Sequence, residues 1–146
     1  MGSKGNTFEN DLLKLIFNAT AIANIADNAA ASPLTSLFIS LHTANPGEAG
    51  DQQTSEATYT GYARVGVLRA SGAGGWTVVS NGVDNASAIN FAVCTAGSNT
   101  VTDFAVGTLT SGAGKILYYG SLTASLAVSA GITPSFAIGA LDVTED

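Results

Sequence analysis

The chain has 146 residues and a formal net charge of −6, and only 11% of its residues are charged, against roughly 25% in typical soluble domains. Its five lysines and arginines are scattered, so they form no cluster for phosphates or an anionic membrane, and we expect neither as a partner. A single cysteine, Cys94, excludes an intrachain disulfide and is expected to be a small buried thiol. So few charges favour a homo-oligomer, whose surface is partly covered by neighbouring subunits, over a monomer.

The N-terminal region is predicted to be an arm followed by a helical segment. Residues 1–6 are polar and glycine-rich, which predicts a flexible arm, and residues 7–32 form the predicted helical segment. Thr7 is a plausible N-cap for a helix that runs to about residue 18, and a further helical turn is predicted at residues 20–27. The start of the chain lacks the features of a secretory signal, so we expect synthesis in a cytoplasm without secretion.

The predicted helix carries an apolar stripe at positions i, i+4, i+7 and i+8. The stripe consists of Phe8, Leu12, Leu15 and Ile16. A helix of this length is marginal alone in water, so its stripe must pack against something. We expect it to pack either against the β-structure that follows or against a neighbouring subunit, and these four residues are predicted interface residues.

After Pro33 the apolar spacing changes from 3.6 to 2, and residues 33–146 are predicted to form one β-domain. The predicted strands cover residues 37–42, 62–69, 76–80, 88–93, 100–107, 115–122, 126–129 and 135–143, the last with a break at Gly139. Glycine-rich turns separate them. Short strands joined in this way predict a mainly β protein, an antiparallel β-sandwich or jelly roll with a short N-terminal α-helix.

A long polar loop, residues 43–61, lies between the first two predicted strands and contains little that could build a core. Long loops on a β-scaffold are more often used for contacts than left without a function. The loop and its end contribute the other predicted interface residues, which are Asn45, Pro46, Glu48, Tyr59 and Tyr62.

The sequence contains no recognisable catalytic, cofactor-binding or metal-binding pattern. Residues 112–115 end like a phosphate-binding loop, but Ile116 stands where a Ser or Thr is needed, and a predicted strand follows instead of a helix. His42 is the only histidine and has no nucleophile motif beside it, so we expect a hydrogen-bonded structural residue.

Acidic and aromatic residues leave two weaker alternatives open. Glu48, Asp51 and Glu56 share the long loop, but no spacing pairs them for glycoside hydrolysis or for calcium binding. Trp76 and Tyr62 are candidates for a sugar-stacking platform, although core or interface packing is the commoner role of such residues.

Several stretches resemble a family of small virion proteins of tailed bacteriophages, many of which carry the name tail fiber protein. They are residues 41–50, 56–65, 75–78, 111–118, 131–134 and 18–25. The resemblance implies a non-enzymatic structural component of a virion and transfers no catalytic residues. It leaves the position on the head or the tail open.

The small size and the lack of a repeated shaft segment favour a capsid decoration (cement) protein. Such a protein would contact copies of itself and other virion proteins, above all the major capsid protein, and would stabilise the shell. The alternative is a tail or tail-fiber-associated protein, with a glycan-binding module of the host surface as one form of it. A hydrolase that uses the loop carboxylates is a remote third hypothesis.

Overall fold

A computed structural model of the chain describes residues 6–22 and 33–145. The predicted arm lies outside these residues except for its last position, and so do residues 23–27 of the predicted second helical turn. The described elements are α1 (Asn6–Asn18), β1 (Ser36–His42), β2 (Val65–Leu68), β3 (Trp76–Val79), β4 (Gly82–Asn85), β5 (Ile89–Asn90), β6 (Asn99–Gly107), β7 (Ile116–Val128), β8 (Ser135–Phe136) and β9 (Asp142–Thr144). No helix within these ranges has the length and apolar character needed to cross a membrane.

The strands form three sheets, with orders β2-β1-β6-β7, β3-β4-β9 and β5-β8. The β1–β6, β6–β7, β3–β4 and β4–β9 pairs are antiparallel. The prediction of a mainly β, antiparallel protein with a short N-terminal helix is therefore confirmed. Its finer form, a β-sandwich or jelly roll, stays a prediction.

Two compact units share the chain. The helical unit consists of Met1–Ser36, Val67–Ile89 and Phe136–Asp146, and the sheet unit consists of Leu37–Gly66 and Asn90–Ser135. The chain passes between them within β1, β2, β5 and β8, so that each unit is assembled from segments distant in sequence. The domain boundaries expected from the sequence stay a prediction.

In the helical unit, α1 packs on β3 and β4. The contact centres on Phe17 and Trp76, whose rings meet edge to face with centroids 4.6 Å apart and are both fully buried. An aromatic pair of this geometry adds to the free energy gained from burying its area. Trp76 is therefore a core residue, as the commoner role of such residues suggested, and the alternative of sugar stacking does not hold for it because its ring is fully buried.

The buried stripe of α1 consists of Glu9, Leu13 and Phe17, at positions i, i+4 and i+8. The stripe predicted from the sequence lies beside it. Phe8 is 41% exposed, and Leu12, Leu15 and Ile16 are partly exposed. Packing of Phe17 against Trp76 sets the rotation of the helix and leaves these four residues at the border of the contact.

Arg69 holds the C-terminal end of α1. Its Nε and Nη2 atoms donate to the carbonyls of Ile16 and Leu15 at 2.6 and 2.7 Å, and its Nη1 atom donates to the Leu34 carbonyl at 2.8 Å. The last turn of a helix has carbonyls without intrahelical donors and a partial negative charge. The guanidinium donates hydrogen bonds to two of these carbonyls and its positive charge offsets the partial negative charge. It also links the helix to the segment that precedes β1. Burial lowers the pKa of Arg69.

In the sheet unit, β1 and β6 form the central pair, with Phe38 opposite Gly107 and His42 opposite Asp103. Leu37, Ile39 and Leu41 are buried on one face of β1, as the alternating pattern predicts. Ser40 and His42 on the other face are also fully buried. The second face is therefore covered as well, and the residues that cover it come from the long loop.

Several predicted strands have different bounds in the structure, and one strand was not predicted. The predicted strand at 62–69 is reduced to β2, and the one at 88–93 is reduced to β5. The predicted strand at 135–143 is replaced by β8 and β9, which ends at Thr144, with Gly139 between them at a φ of 70°. β4 was not predicted because Gly82–Asn85 is short and poor in β-formers. It forms because it pairs with β3 and β9 and because the buried Asn85 bonds the backbone of Ser87, Ala137 and Leu141.

Residues 115–122 and 126–129 were predicted as two strands, but they form the single strand β7. Its register against β6 shifts between the pairs Val101–Leu126 and Asp103–Ser121. Residues 122–125 of β7 thus lie opposite one residue of β6, as a large bulge. This irregular stretch is what the sequence pattern indicated as a gap between strands.

Candidate functional site

Residues 55–57 of the long loop, residues 43–61, pair with the chain at the end of β1. The Thr43 amide donates to the Ser55 carbonyl at 2.8 Å, and the Ala57 amide donates to the Leu41 carbonyl at 2.8 Å. His42 and Glu56 form an isolated antiparallel bridge between these bonds. The loop is therefore held to the sheet by its backbone, and its side chains are placed with little freedom.

Glu56 and Arg64 form a two-point ion pair at the end of this loop. Arg64 Nε lies 2.6 Å from Oε1 of Glu56, and Arg64 Nη2 lies 2.8 Å from Oε2. Nη1 and Nη2 also donate to the carbonyls of Leu109 and Gly112, at 3.0 and 2.8 Å. The Arg64 side chain is only 2% exposed and that of Glu56 16%. The hydrogen bond to Glu56 raises the pKa of Arg64, which therefore stays charged.

Tyr62 joins this pair to β1. Its hydroxyl donates to Glu56 Oε1 at 2.9 Å and accepts from the Leu41 amide at 3.0 Å. Burial raises the pKa of Tyr62 well above its ordinary value. Its ring meets the Tyr59 ring edge to face at 5.4 Å and stacks on Phe91 at 6.3 Å. With the hydroxyl fully used and the ring packed on two neighbours, Tyr62 is mainly a structural residue.

His42 fastens the loop from inside. Its Nδ1 atom lies 2.8 Å from the Thr54 carbonyl, which can only accept, so Nδ1 carries the hydrogen. Its Nε2 atom lies 2.9 Å from the Ser40 hydroxyl and accepts from it. Burial lowers the pKa of His42 and favours this neutral form. The sequence-based interpretation of a hydrogen-bonded structural histidine agrees with this geometry.

Gln52 is a second residue whose hydrogen bonds hold the loop to the sheet unit, and it is fully buried. Its Nε2 donates to the Phe38 carbonyl at 3.1 Å, its Oε1 accepts from the Leu109 amide at 3.1 Å, and its own amide donates to the Gly114 carbonyl at 2.9 Å. A Cβ atom at Gly107 would overlap the Gln52 amide group. The absence of a side chain at Gly107 therefore leaves the space that the buried Gln52 amide group occupies.

The loop continues into the core at Tyr59, which is 3% exposed. Its hydroxyl donates to the Ala92 carbonyl at 3.1 Å, and the Asn99 side chain accepts from the Thr58 and Tyr59 amides at 2.8 and 2.9 Å. With Gln52 and Ala57 also buried, the loop does contribute to the core, contrary to the expectation from its composition.

The predicted interface residues of the loop fall into two groups. Asn45 and Glu48 are exposed, on a turn in which the Asn45 side chain accepts from the Gly47 amide at 2.8 Å. Pro46 and Tyr59 are buried, and Tyr62 is partly buried in the network described above. Asn45 and Glu48 thus lie together on a fixed surface. Their contact with a partner stays a prediction.

A cleft of about 310 Å³ opens over the ion pair. Glu56, Tyr62 and Arg64 line one side, and the turn of residues 110–112 lines the other. The charged atoms at its base already bond to one another or to backbone carbonyls, so they have little capacity left for a ligand. The cleft can receive a small group of a partner, but its geometry contains no nucleophile activated by a base.

Two of the three acidic residues of the loop, Asp51 and Glu56, are also occupied, whereas Glu48 is exposed. The Asp51 carboxylate accepts from the Gln53 amide at 2.9 Å and from the Thr54 hydroxyl at 3.3 Å, and Glu56 is in the ion pair. Within the described ranges, no group of three or more His, Cys, Asp or Glu side chains has a geometry suited to a metal ion.

The sequence did not single out Arg64 or Gln52, which prove central to this region. The sequence offers little signal for their burial. Gln52 lies in a polar loop and Arg64 follows Gly61-Tyr62, so both have the polar character of surface residues, and their partners are eight or more residues away. Only the folded path of the loop brings Arg64 to Glu56 and to residues 109–112.

None of the curated proteins compared with the chain matches it. A family model does match, over residues 3–144, and it is described as Podophage GP4 fiber I protein gp80. The match confirms the resemblance to virion proteins of tailed phages that carry the name tail fiber protein, and it implies a structural component of the virion. The chain belongs to the family of the podophage GP4 fiber I protein gp80.

Proposed function

We propose that the protein is a non-enzymatic structural component of the tail-fiber apparatus of a tailed phage. It is held in the virion by contacts with copies of itself and with other virion proteins. The observation that carries this proposal is the family match, because it extends over residues 3–144 and so involves both units. The charge content of 11% supports it, since stable interfaces are depleted in charged residues.

The loop of residues 43–61 supplies a contact surface suited to this role. Its backbone is bonded to β1, and Gln52 and His42 fasten it from inside. Asn45 and Glu48 are exposed at its tip. A surface that is already ordered loses little conformational entropy on binding, which favours stable assembly over transient association.

The geometry of the polar groups supports a non-enzymatic role. Ser40 and His42 are 2.9 Å apart, as in a nucleophile and its base, but both are fully buried. A substrate cannot approach the Ser40 oxygen without opening the sheet. Glu56 accepts hydrogen bonds on both oxygens from Arg64 and Tyr62, so it is poorly suited to act as a general acid.

A capsid decoration protein is the second candidate. The observation in its favour is that the chain forms two compact units and its sequence has no repeated shaft segment. In that role it would bind copies of itself and the major capsid protein. We rank this candidate second because the matching family model is described as a fiber protein.

The test is immunogold labelling of purified, intact phage particles with an antibody raised against the whole protein, with mass spectrometry of the same particles. Gold on the tail or its fibers, with peptides of this chain in the particle, is the expected result. Gold distributed over the head would support the decoration role instead. Absence of the chain from particles that infect normally would contradict both candidates.

A further inference from the structure

The cleft above the ion pair has two walls that are fixed to each other. One wall is lined by Glu56 and Arg64, and the other by the turn of residues 110–112. Arg64 donates to the Gly112 carbonyl at 2.8 Å, and the buried Gln52 bonds the backbone on both sides of the turn. Because these bonds join the two walls, the cleft has its shape before a ligand enters, which lowers the entropic cost of binding.

The base of the cleft favours a neutral hydrogen-bond donor. The charges of Glu56 and Arg64 already neutralise each other, so a charged ligand would lose hydration without gaining an unpaired counter-charge. A carboxylate has about four acceptor positions. Glu56 uses three of them, two for Arg64 and one for Tyr62, and the open position is on Oε2. The Glu56 side chain is 16% exposed, so a hydroxyl in the cleft can donate to it.

The rim of the cleft supplies neutral groups that both donate and accept. The rim side chains are those of Gln53, Thr110 and Ser111, which line the cleft and are exposed. Among the residues that the structure describes, these side chains have no hydrogen-bond partner, so their capacity is open to a ligand. The adjacent hydroxyls of a sugar ring also donate and accept, so they match several such groups placed around one acceptor. The cleft volume of about 310 Å³ suits one sugar ring, since it lies at the lower end of the roughly 300–1,000 Å³ of ligand sites.

We propose that this cleft binds one neutral sugar unit of a glycan. One ring hydroxyl donates to Oε2 of Glu56, and its neighbours bond the rim side chains. The Tyr62 ring offers no stacking face, because it packs on Tyr59 and Phe91. A small ligand held by polar groups alone binds weakly, and we expect a dissociation constant on the order of 1–10 mM for a single unit. The inference adds a ligand to the structural role proposed above and does not depend on the tail assignment.

The first test follows the backbone amide signals of the full chain by NMR during titration with neutral sugars. The probes are D-glucose, D-galactose, L-rhamnose and N-acetyl-D-glucosamine, and D-glucuronate and D-glucosamine are the anionic and cationic counterparts. At least one neutral sugar should shift the amides of residues 53–64 and 109–112, and its charged counterparts should bind at least roughly tenfold more weakly. No shift of these amides at about 100 mM of any neutral sugar would overturn the proposal. Equally strong binding of the charged sugars would overturn it too.

Substitutions test whether the sugar lies in this cleft. Ala63 is an exposed lining residue, so Ala63→Trp should fill the cleft and weaken binding by roughly tenfold or more. Ala113→Trp, at an exposed position next to the same turn, is the matched control and should bind like wild type. Thr110→Ala removes one rim hydroxyl and should weaken binding roughly two- to tenfold.

Two outcomes would overturn this placement. One is an Ala63→Trp protein that binds the sugar like wild type. The other is a side chain of another virion protein occupying the cleft in the assembled particle. In either case, gold on the tail would still support the proposed function, so the two proposals fail separately.

Discussion

Arg64 and Glu56 are joined by two hydrogen bonds, Nε to Oε1 at 2.6 Å and Nη2 to Oε2 at 2.8 Å, and the arginine side chain is 2% exposed. The pair is the junction at which the loop of residues 43–61, the Tyr62 hydroxyl and the carbonyls of residues 109 and 112 meet. A contact surface on this loop therefore depends on a charge pair that itself faces mostly inward.

Glu56→Gln should leave the buried guanidinium of Arg64 without its counter-charge. We expect the free energy of unfolding to fall by about 2–4 kcal/mol, somewhat less than the roughly 3–5 kcal/mol typical of broken buried pairs, because Glu56 is partly exposed. The measurement is urea unfolding at pH 7.5. Glu48→Gln, an exposed acid in the same loop, is the matched control and should change stability by no more than about 0.5 kcal/mol. Equal effects of the two substitutions would contradict the structural role of the ion pair.

Gly107→Ala should be destabilising because its Cβ would overlap the buried Gln52 amide. We expect a loss of about 1–3 kcal/mol, the usual result of overpacking. In a Gln52→Ala background the same substitution has free space and should cost much less. A double-mutant cycle measured by urea unfolding gives the coupling. Additive effects would show that the two residues do not share this space.

His42 should make stability depend on pH. Burial lowers its pKa in the folded protein, whereas the unfolded chain protonates it near pH 6.5. Below about pH 6.5 the unfolded state therefore binds more protons, so stability decreases as the pH falls from about 6.5 to the lower native value. The stability that neutral His42 contributes is fully present above about pH 6.5.

Two measurements check this sign. The chain has one histidine, so its ring proton signals report the native pKa by NMR, which should lie below 6.5. Urea midpoints at pH 7.5 and 5.5 should differ more for the wild type than for His42→Gln. The hydrogen bond to the Thr54 carbonyl and the charges of Glu56 and Asp103 act in the opposite direction to burial, so a native pKa at or above 6.5 would mean that they outweigh burial.

Arg69→Gln should loosen the C-terminal end of α1, because the carbonyls of Leu15, Ile16 and Leu34 lose a charged donor. We expect a loss of about 2–3 kcal/mol, typical of charge-assisted hydrogen bonds at a partly buried site. Hydrogen exchange should show faster exchange in the last turn of α1. Lys115→Gln removes an exposed cation and should leave both measurements unchanged; unaltered exchange in Arg69→Gln would count against the cap.

The sequence predicted the elements whose pattern is local. β1 and α1 have their predicted extents within one residue, β1 because residues 37–42 alternate strongly. The sequence-based prediction was wrong where contacts with residues distant in the chain determine the structure. Gly82–Asn85 is a strand only because β3 and β9 flank it, and the face of α1 that is buried is set by Trp76, far away in the chain.

The site shows the same limit. Asn45 and Glu48 could be recognised as exposed loop residues from their chemistry. That Gln52 and Tyr59 of the same loop are buried depends on Gly107, Leu109 and Asn99, which belong to other strands and turns. Composition alone gave a polar loop and could not tell which of its side chains satisfy buried backbone groups.

The most direct test of the central claim is a cryo-electron microscopy reconstruction of the intact phage particle, with the two units of this protein fitted separately into its density. We expect both units to fit density in the tail-fiber region, with the exposed turn around Asn45 and Glu48 in contact with another virion chain. Unexplained density of this shape on the head, or complete assignment of the tail-fiber density to other proteins, would contradict it.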